Sequence, residues 1–323
     1  MVHPARIHAT VEQVRSAAPP VRASDVPQLT RGRVRAAVDA GALVVLRRGI
    51  VHPRLEWENA DAGERHRIAL RAALLAFPGA WASHASAAHL HGLTDGLPGT
   101  RWHETVHISR TGTTHREPGL IVHGQQVPHG SVGMQLGLPS SSLPRACIEV
   151  AARRSLGDAL GVMDQGMRSL VKASHPDVRA AALSPGLREV LRDLFDGCVA
   201  PYGRHRWVTT VRQAVRWADP AAESRLESLS RAAVLLAGLP APRCGVPLLG
   251  DDGRTYWVDM WWEEQALIGE VDGAVKYVEP SALVAEKRRQ EALTGLDRRL
   301  VRWGFPEVVP DPSLMLRRLQ RHL

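Results

Sequence analysis

The chain has few cysteines, and it has no long apolar run. Its three cysteines, Cys147, Cys198 and Cys244, are too scattered for a disulfide framework or for the ligand spacing of a zinc site. No apolar run reaches the ~20 residues of a membrane-spanning helix. The first residues also lack the apolar segment of a secretory signal peptide. We therefore expect a protein of the reducing cytoplasm that has no membrane partner.

Lysine is also scarce, because only three of the 41 basic residues are lysine and the others are arginine. Such a bias is typical of a GC-rich genome, so the number of arginines says little about function. The net charge of +8 and the pI near 10.2 still favour a polyanionic partner, with nucleic acid as the first candidate. Two of the three lysines, Lys276 and Lys287, lie close in sequence to the acidic residues Glu270 and Asp272.

The 323 residues are enough for two or three domains with ordinary cores, and we find no internal repeat. We predict an α/β multidomain protein with four segments along the chain. The segments are a winged helix-turn-helix at residues 1–58, a mixed α/β module at 59–172, a linker at 173–206 and a C-terminal α/β domain at 207–323.

The winged helix-turn-helix is predicted from helical patterns followed by a basic strand–turn–strand. Thr30 is a good N-cap for the helix that follows it. We expect Arg33 and Arg35 of this helix to face DNA phosphates or a major groove, and Arg47 and Arg48 to lie on the wing. In an arginine-rich protein, a module that contacts protein or is purely structural is the alternative.

The C-terminal domain contains two strand-like runs, Tyr256–Trp261 and Ala266–Asp272, at a spacing that suits a hairpin. Asp259 lies on the first strand, and Glu270 and Asp272 share one face of the second. Glu223 is expected in the first turn of a helix at residues 221–237. Acidic groups on facing strands with a lysine nearby predict a divalent-metal site. The alternative is a set of ordinary turn, strand-edge and helix-terminal carboxylates.

The segments VDMWW, IGEVDGAVKY and EKRRQEAL, within residues 215–311, resemble the Vsr-like (very-short-patch-repair-like) branch of the PD-(D/E)XK nuclease superfamily. The resemblance implies a restriction-endonuclease-like α/β fold and a Mg²⁺ or Mn²⁺ site. Asp272 stands where the family has a lysine. The residues that the resemblance assigns are Glu223, Asp259 and Glu270 as metal ligands, Asp272, Lys276 and Lys287 as further catalytic candidates, and Arg288 and Arg289 as contacts to the DNA backbone.

The segment LTRGRVRAAVDAGALVVLRRGIV, at residues 29–51, resembles the N-terminal domain of AbiEi-type antitoxins. The mixed α/β module resembles the part that follows it in those proteins. This resemblance implies DNA binding, and a toxin or another defence-system protein as a possible partner.

Eight histidines lie between residues 84 and 129, namely His84, His89, His91, His103, His107, His115, His123 and His129. In a helix the rings of His89 and His91 would diverge by roughly 200°. No cysteine or carboxylate cluster completes a ligand set, so we expect ordinary core or surface histidines, and a metal site is the alternative because histidine is a common ligand.

Two functions follow from these observations. The first is a Mg²⁺-dependent endonuclease, recruited to DNA by the winged helix and acting in phage defence or DNA repair. The second is a non-catalytic DNA-binding regulator of the toxin–antitoxin type. The choice between DNA and RNA, between nicking and double-strand cleavage, and between oligomeric states stays open.

Overall fold

The computed structural model describes residues 4–93, 101–126, 130–152, 154–203, 205–272 and 280–323, with only the backbone at 280–283. It is a mixed α/β protein, as the sequence predicts. The described chain forms two compact units, which meet in sequence between residues 149 and 150. None of the described helices is both long and apolar enough to cross a bilayer.

The first unit begins with helices and a hairpin. The elements are α1 (Pro4–Ser16), β1 (Val21–Arg22), a 3₁₀ turn (Ala23–Asp25), α2 (Arg31–Asp39), β2 (Leu43–Arg47) and β3 (Ile50–Pro53). The Thr30 hydroxyl accepts a hydrogen bond from the Arg33 N–H, so the predicted N-cap of α2 is confirmed. The three strands form an antiparallel sheet in the order β1-β3-β2. Its apolar core includes Val14, Ala37 and Val51.

The rest of the first unit is built around a six-stranded sheet. Its elements are α3 (Arg54–Asn59), α4 (Ala62–Ala76), β4 (Trp81–Ala82), α5 (His84–Leu90), β5 (Val106–Arg110), β6 (His115–Glu117), β7 (Leu120–Gly124), β8 (Val132–Gln135), β9 (Leu138–Ser141) and α6 (Leu143–Ala151). The strand order is β6-β7-β5-β4-β9-β8. The strands β8 and β9 form a hairpin, because Leu136 and Gly137 both adopt positive φ and turn the chain.

The second unit begins with five helices, α7 (Leu156–Ser174), α8 (Val178–Ala182), α9 (Pro185–Val199), α10 (Arg206–Trp217) and α11 (Arg225–Leu236). Residues 173–206, which we expected to be a linker with one short helix at 187–195, contain α8 and the longer helix α9. The reason lies in the sequence of α9. Ser184 caps the helix by accepting the N–H of Leu187, and the helix buries Leu191, Phe195 and Val199 at helical spacing.

A four-stranded sheet completes the second unit. Its elements are β10 (Arg243–Leu249), β11 (Thr255–Trp262), β12 (Leu267–Asp272), α12 (Pro280–Thr294), β13 (Arg299–Gly304) and α13 (Ser313–Gln320). The strand order follows the chain, with β10, β11 and β12 antiparallel and β13 parallel to β12. The predicted hairpin is thus present as β11 and β12, and α12 connects the parallel pair.

Close packing around Gly269 holds this sheet against its helices. A Cβ atom at Gly269 would lie 2.6 Å from the ring of Trp303 and 2.9 Å from that of Trp262, so only glycine fits there. The indole N–H of the buried Trp303 donates to the Ser230 hydroxyl at 2.8 Å, which fixes α11 on the sheet. Sheet and helix therefore have a defined relative position in this unit.

A buried ion pair joins α7 to α11. Both carboxylate oxygens of Asp164 accept hydrogen bonds from Arg231 at 2.7 Å, and one also accepts the backbone N–H of Asp219 at 2.8 Å. The side chains of Asp164 and Arg231 are 0% and 6% exposed. Removing one partner of such a pair leaves a buried charge without compensation.

We predict that Arg231→Ala lowers the free energy of unfolding of the second unit by about 3–5 kcal/mol, because Asp164 then stays buried and unpaired. Urea unfolding followed by tryptophan fluorescence measures this change. The exposed Arg216 of α10 is the matched control, and its alanine variant should change stability by less than about 0.5 kcal/mol. Equal effects of the two substitutions would show that the buried pair does not hold the helices together.

Candidate functional site

Four carboxylates of the second unit perturb one another electrostatically. They are Glu223, two residues before α11; Glu227, in the first turn of α11; Asp259, in β11; and Glu270, in β12. Two of them, Glu223 and Glu270, have arginine partners. No ion pair among the described residues involves the other two, Glu227 and Asp259.

Asp259 lies where β11 and β12 stop pairing. The last bridged pair is Met260 with Gly269, and beyond it the Asp259 carboxylate accepts the backbone N–H of Val271 at 2.8 Å. Burial raises the pKa of Asp259 to about 6 against the opposing effect of this hydrogen bond, and the charge of Glu270 raises it further. The prediction that Asp259 and Glu270 lie near each other on paired strands agrees with this arrangement.

Glu227 is the acidic residue of the helix that the sequence analysis missed. Ser224 caps α11 by accepting the Glu227 N–H at 3.1 Å, and the Glu227 carboxylate accepts the Glu223 N–H at 2.8 Å. Burial raises the pKa of Glu227 to about 7, and the charge of Asp259 contributes in the same direction. The spacing Ser224-x-x-Glu227 before an apolar run is a capping-box pattern, and this signal could have identified Glu227.

Glu223 lies outside the helix, contrary to our expectation of the first turn. The helix begins at Arg225 because Ser224 takes the N-cap position. The Glu223 carboxylate accepts hydrogen bonds from Arg168 at 2.8 Å and from Arg179 at 2.8 and 3.0 Å. These bonds, that from Arg179 above all, lower its pKa.

Glu270 is buried between two arginines. Its carboxylate accepts from Arg289 of α12 at 2.5 Å and from Arg302 of β13 at 3.0 Å. Arg289 also donates to the backbone carbonyl of Trp257 at 2.8 Å, and Arg302 forms a further ion pair with Glu286. Glu270 is thus compensated by arginines in a way that Glu227 and Asp259 are not.

The other residues predicted for this site lie farther from the carboxylates or outside the described chain. Lys287 is exposed, with its ammonium 4.0 Å from Glu291, and Arg288 is exposed as well. Each residue turns a helix by about 100°, so when Arg289 faces the sheet its two predecessors point elsewhere. Asp272 is exposed at the end of β12, and Lys276 lies outside the described residues. In the described chain, the cations beside Glu270 are therefore arginines.

The predicted ligands Glu223, Asp259 and Glu270, all described, do not bring three ligand atoms within 4.8 Å of one another. Across the described residues, the one set of three possible ligand atoms within 4.8 Å of one another belongs to His84, His107 and His123 of the first unit. Glu223 forms ion pairs with Arg168 and Arg179. Glu270 forms ion pairs with Arg289 and Arg302.

Two arginines predicted to contact DNA in the first unit make bonds within the protein. Arg33 donates to the Thr10 hydroxyl at 3.3 Å and to the Gln28 carbonyl at 3.0 Å, which ties α2 to α1. Arg47 pairs with Glu117 of β6 at 3.0 Å, and its side chain is 18% exposed. Both are partly buried, so neither presents its full charge to a groove.

The other two predicted DNA contacts are exposed. The Arg35 side chain is 86% exposed, with a weak ion pair to Asp39 at 3.7 Å. Arg48 is exposed at the turn between β2 and β3. These two side chains can reach phosphates without breaking a buried contact.

Comparison with known proteins gives two relatives. The chain is 27% identical, over 230 residues, to the uncharacterized protein MT2308 of Mycobacterium tuberculosis strain CDC 1551 and to the uncharacterized protein Rv2248 of strain H37Rv. The alignment covers 70% of this chain and 72% of each relative. No protein-family model and no solved structure matches the chain.

Buried carboxylates with raised pKa values make the second unit sensitive to pH. The pKa values of Glu227 and Asp259 are higher in the folded unit than in the unfolded chain, so the folded unit binds more protons between about pH 4 and pH 7. The protonated forms of these two groups are the ones that the folded unit favours. The stability that they contribute is fully present below pH ~4 and is lost as the pH rises through 6 and 7, because both groups then ionise. For Glu227 the loss is on the order of 3 kcal/mol.

We predict that Glu227→Gln, measured without divalent ions, removes much of this loss and makes the second unit more stable than wild type near pH 8. Urea unfolding at about pH 5 and about pH 8 measures the difference. Glu264→Gln, at an exposed residue of the β11–β12 turn, is the control and should behave as wild type. If all three proteins show the same pH dependence of stability, the pKa of Glu227 is not raised in the folded unit.

Proposed function

We propose that the second unit is a Mg²⁺-dependent phosphodiesterase of the PD-(D/E)XK type that acts on DNA, and that the N-terminal helices and hairpin of the first unit are a winged helix-turn-helix that binds DNA. The observation that carries the enzymatic part is the presence of the buried Glu227 and the partly buried Asp259 as mutually repelling carboxylates with no ion pair in the described chain.

The donor set fits a hard divalent ion. Carboxylate oxygens are the ligands that Mg²⁺ prefers, and one or two carboxylates with several waters are its usual protein site. Two neighbouring carboxylates that are shielded from water and have no ion-pair partner are costly to ionise, and a divalent ion would lower that cost. Glu227 and Asp259 would hold the ion, and Glu270 lies near enough to influence the charge of Asp259.

The arginines that pair with Glu223 and Glu270 suit a phosphate substrate. Arg289 and Arg302 place two guanidinium groups on Glu270, and Arg168 and Arg179 place two on Glu223. Guanidinium groups bind phosphate oxygens in a bidentate manner and stabilise the charge that develops during phosphoryl transfer. A bound Mg²⁺ would supply the Lewis-acid and template functions that phosphodiester hydrolysis requires.

The order of residues along the chain also supports a PD-(D/E)XK site. A helix supplies Glu227, one strand supplies Asp259 and the next supplies Glu270, as the resemblance implies, with Glu227 replacing Glu223 as the glutamate of the helix. The family's lysine is replaced by Asp272, and the guanidinium groups of Arg289 and Arg302 are the positive charges next to Glu270.

A non-catalytic DNA-binding regulator is the second candidate. Two observations favour it: Glu270 is neutralised by two arginines, and no described lysine lies beside it. In this alternative the ion pairs are structural, and the exposed Arg35 and Arg48 of the first unit carry the binding function. The two candidates differ in whether DNA is cut when Mg²⁺ or Mn²⁺ is present.

We predict that the full chain cleaves plasmid, linear or single-stranded DNA with Mg²⁺ or Mn²⁺, and that Glu227→Gln and Asp259→Asn each reduce the rate about 100-fold or more, since each removes a proposed ligand. Glu270→Ala should abolish cleavage while DNA binding is kept or tightened. The control Glu264→Gln should cut as wild type does. A wild-type chain that binds DNA and never cuts it would support the regulator, and cleavage by the ligand variants would refute the assigned site.

For DNA binding, we predict that Arg35→Ala/Arg48→Ala lowers the slope of log K against log salt by about 1.8, because two phosphate contacts are lost. A salt titration of binding to two unrelated sequences measures this slope. The control Arg212→Ala/Arg216→Ala removes the same charge from exposed positions of α10. An equal change in both variants would mean that only net charge matters, and no change in either would place DNA binding elsewhere.

A further inference from the structure

Three histidines of the first unit converge outside the proposed site. His107 lies in β5, His123 in the neighbouring parallel strand β7, and His84 at the start of α5. Val106, Ile108 and Val122 alternate with them and are buried. Strand alternation therefore places His107 and His123 together on the other face of the sheet.

The distances among these rings are those of a metal site. One nitrogen from each ring lies within 4.8 Å of one from each of the others. Nδ1 of His107 is 3.0 Å from Nε2 of His123. Two imidazole nitrogens that bind one tetrahedral Zn²⁺ at about 2.0–2.1 Å lie roughly 3.3–3.4 Å apart, so this hydrogen-bonded pair would have to open by only about 0.3–0.4 Å. The His84 ring stacks on that of His123 with centroids 3.7 Å apart and an interplanar angle of 13°, so the third ring is close but has to rotate to direct a nitrogen at the same ion.

The backbone and neighbours of His84 keep this residue beside the two strand histidines. His84 has a φ of +51°, which is uncommon for a residue other than glycine and clusters at functional sites. Its backbone N–H donates to the buried carboxylate of Glu149 at 2.9 Å, and its ring Nδ1 lies 3.1 Å from the Ser83 hydroxyl. Arg145 in turn fixes Glu149 at 2.8 Å. A hydroxyl or carboxylate behind a ligating histidine orients the ring in many metal sites.

We propose that His84, His107 and His123 bind one divalent transition-metal ion, with Zn²⁺ as the reference ion, through three imidazole nitrogens and with the fourth position open to water or another ligand. All three residues are partly exposed, so an ion can enter from solvent. Only neutral imidazole binds a metal, so ion binding is expected to release any protons that these rings carry.

This site is chemically distinct from the carboxylates of the second unit. Imidazole ligands select Zn²⁺ and its neighbours, whereas carboxylate oxygens suit Mg²⁺. The two proposals therefore fail separately. Loss of cleavage in the carboxylate variants says nothing about the histidines, and Zn²⁺ binding by the histidines does not require a nuclease.

The test is calorimetric titration of the chelator-treated full chain with Zn²⁺, in excess Mg²⁺ to occupy the carboxylates. Absorption spectra with Co²⁺ report nitrogen ligation. Wild type should bind one Zn²⁺ per chain and gain thermal stability. His107→Ala and His123→Gln should weaken binding by about 100-fold or more, since each removes a ligand. The controls are His115→Ala, a partly exposed histidine outside the cluster, and Asp259→Asn, and both should bind as wild type does.

Circular dichroism checks that each variant is folded. His123→Gln keeps a polar side chain at this position, so it tests the ligand even if an alanine variant is misfolded. The proposal is overturned if wild type binds no Zn²⁺ under these conditions. It is also overturned if the folded His107 and His123 variants bind Zn²⁺ as tightly as His115→Ala, or if Asp259→Asn is the variant that loses it.

Discussion

Compensation of buried charge is the constraint on which the second unit depends. Its helices and sheet bury Asp164, Glu227 and Glu270 almost completely. An ionised carboxylate is costly to remove from water unless it gains a partner. Asp164 has Arg231, and Glu270 has Arg289 and Arg302. Glu227 and the neighbouring Asp259 have no ion-pair partner among the described residues. The proposed function depends on this lack of a partner.

The arginines have two roles in this arrangement. Those paired with Asp164 and Glu270 connect α7 to α11 and α12 to the sheet, so they help to determine the fold. Arg289 and Arg302 also place positive charge beside the uncompensated carboxylates. In the proposed site, guanidinium groups rather than an ammonium supply the positive charge beside Glu270, and guanidinium is the better bidentate partner for phosphate oxygens. In the first unit, Glu149 is compensated similarly by Arg145 and supports His84.

Features that depend on short stretches of sequence, such as helix caps, hairpins and strand faces, could be predicted from the sequence. The Thr30 cap, the β11–β12 hairpin and the strand positions of Asp259 and Glu270 follow from capping, alternation and turn chemistry. Glu223 was assigned to the helix because the role of Ser224 as its N-cap was not recognised, and that cap makes Glu227 the helical residue. The convergence of His84 with two strand histidines depends on which strands pair, which periodicity within one segment does not specify.

The most direct measurement of the central claim is anomalous X-ray scattering from a crystal of the full chain soaked in Mn²⁺. Mn²⁺ has the same preference for oxygen ligands as Mg²⁺ and scatters anomalously. The account predicts a peak bonded to carboxylate oxygens of Glu227 and Asp259. An Mn²⁺ peak elsewhere, with these two carboxylates unchanged and unoccupied, would contradict it.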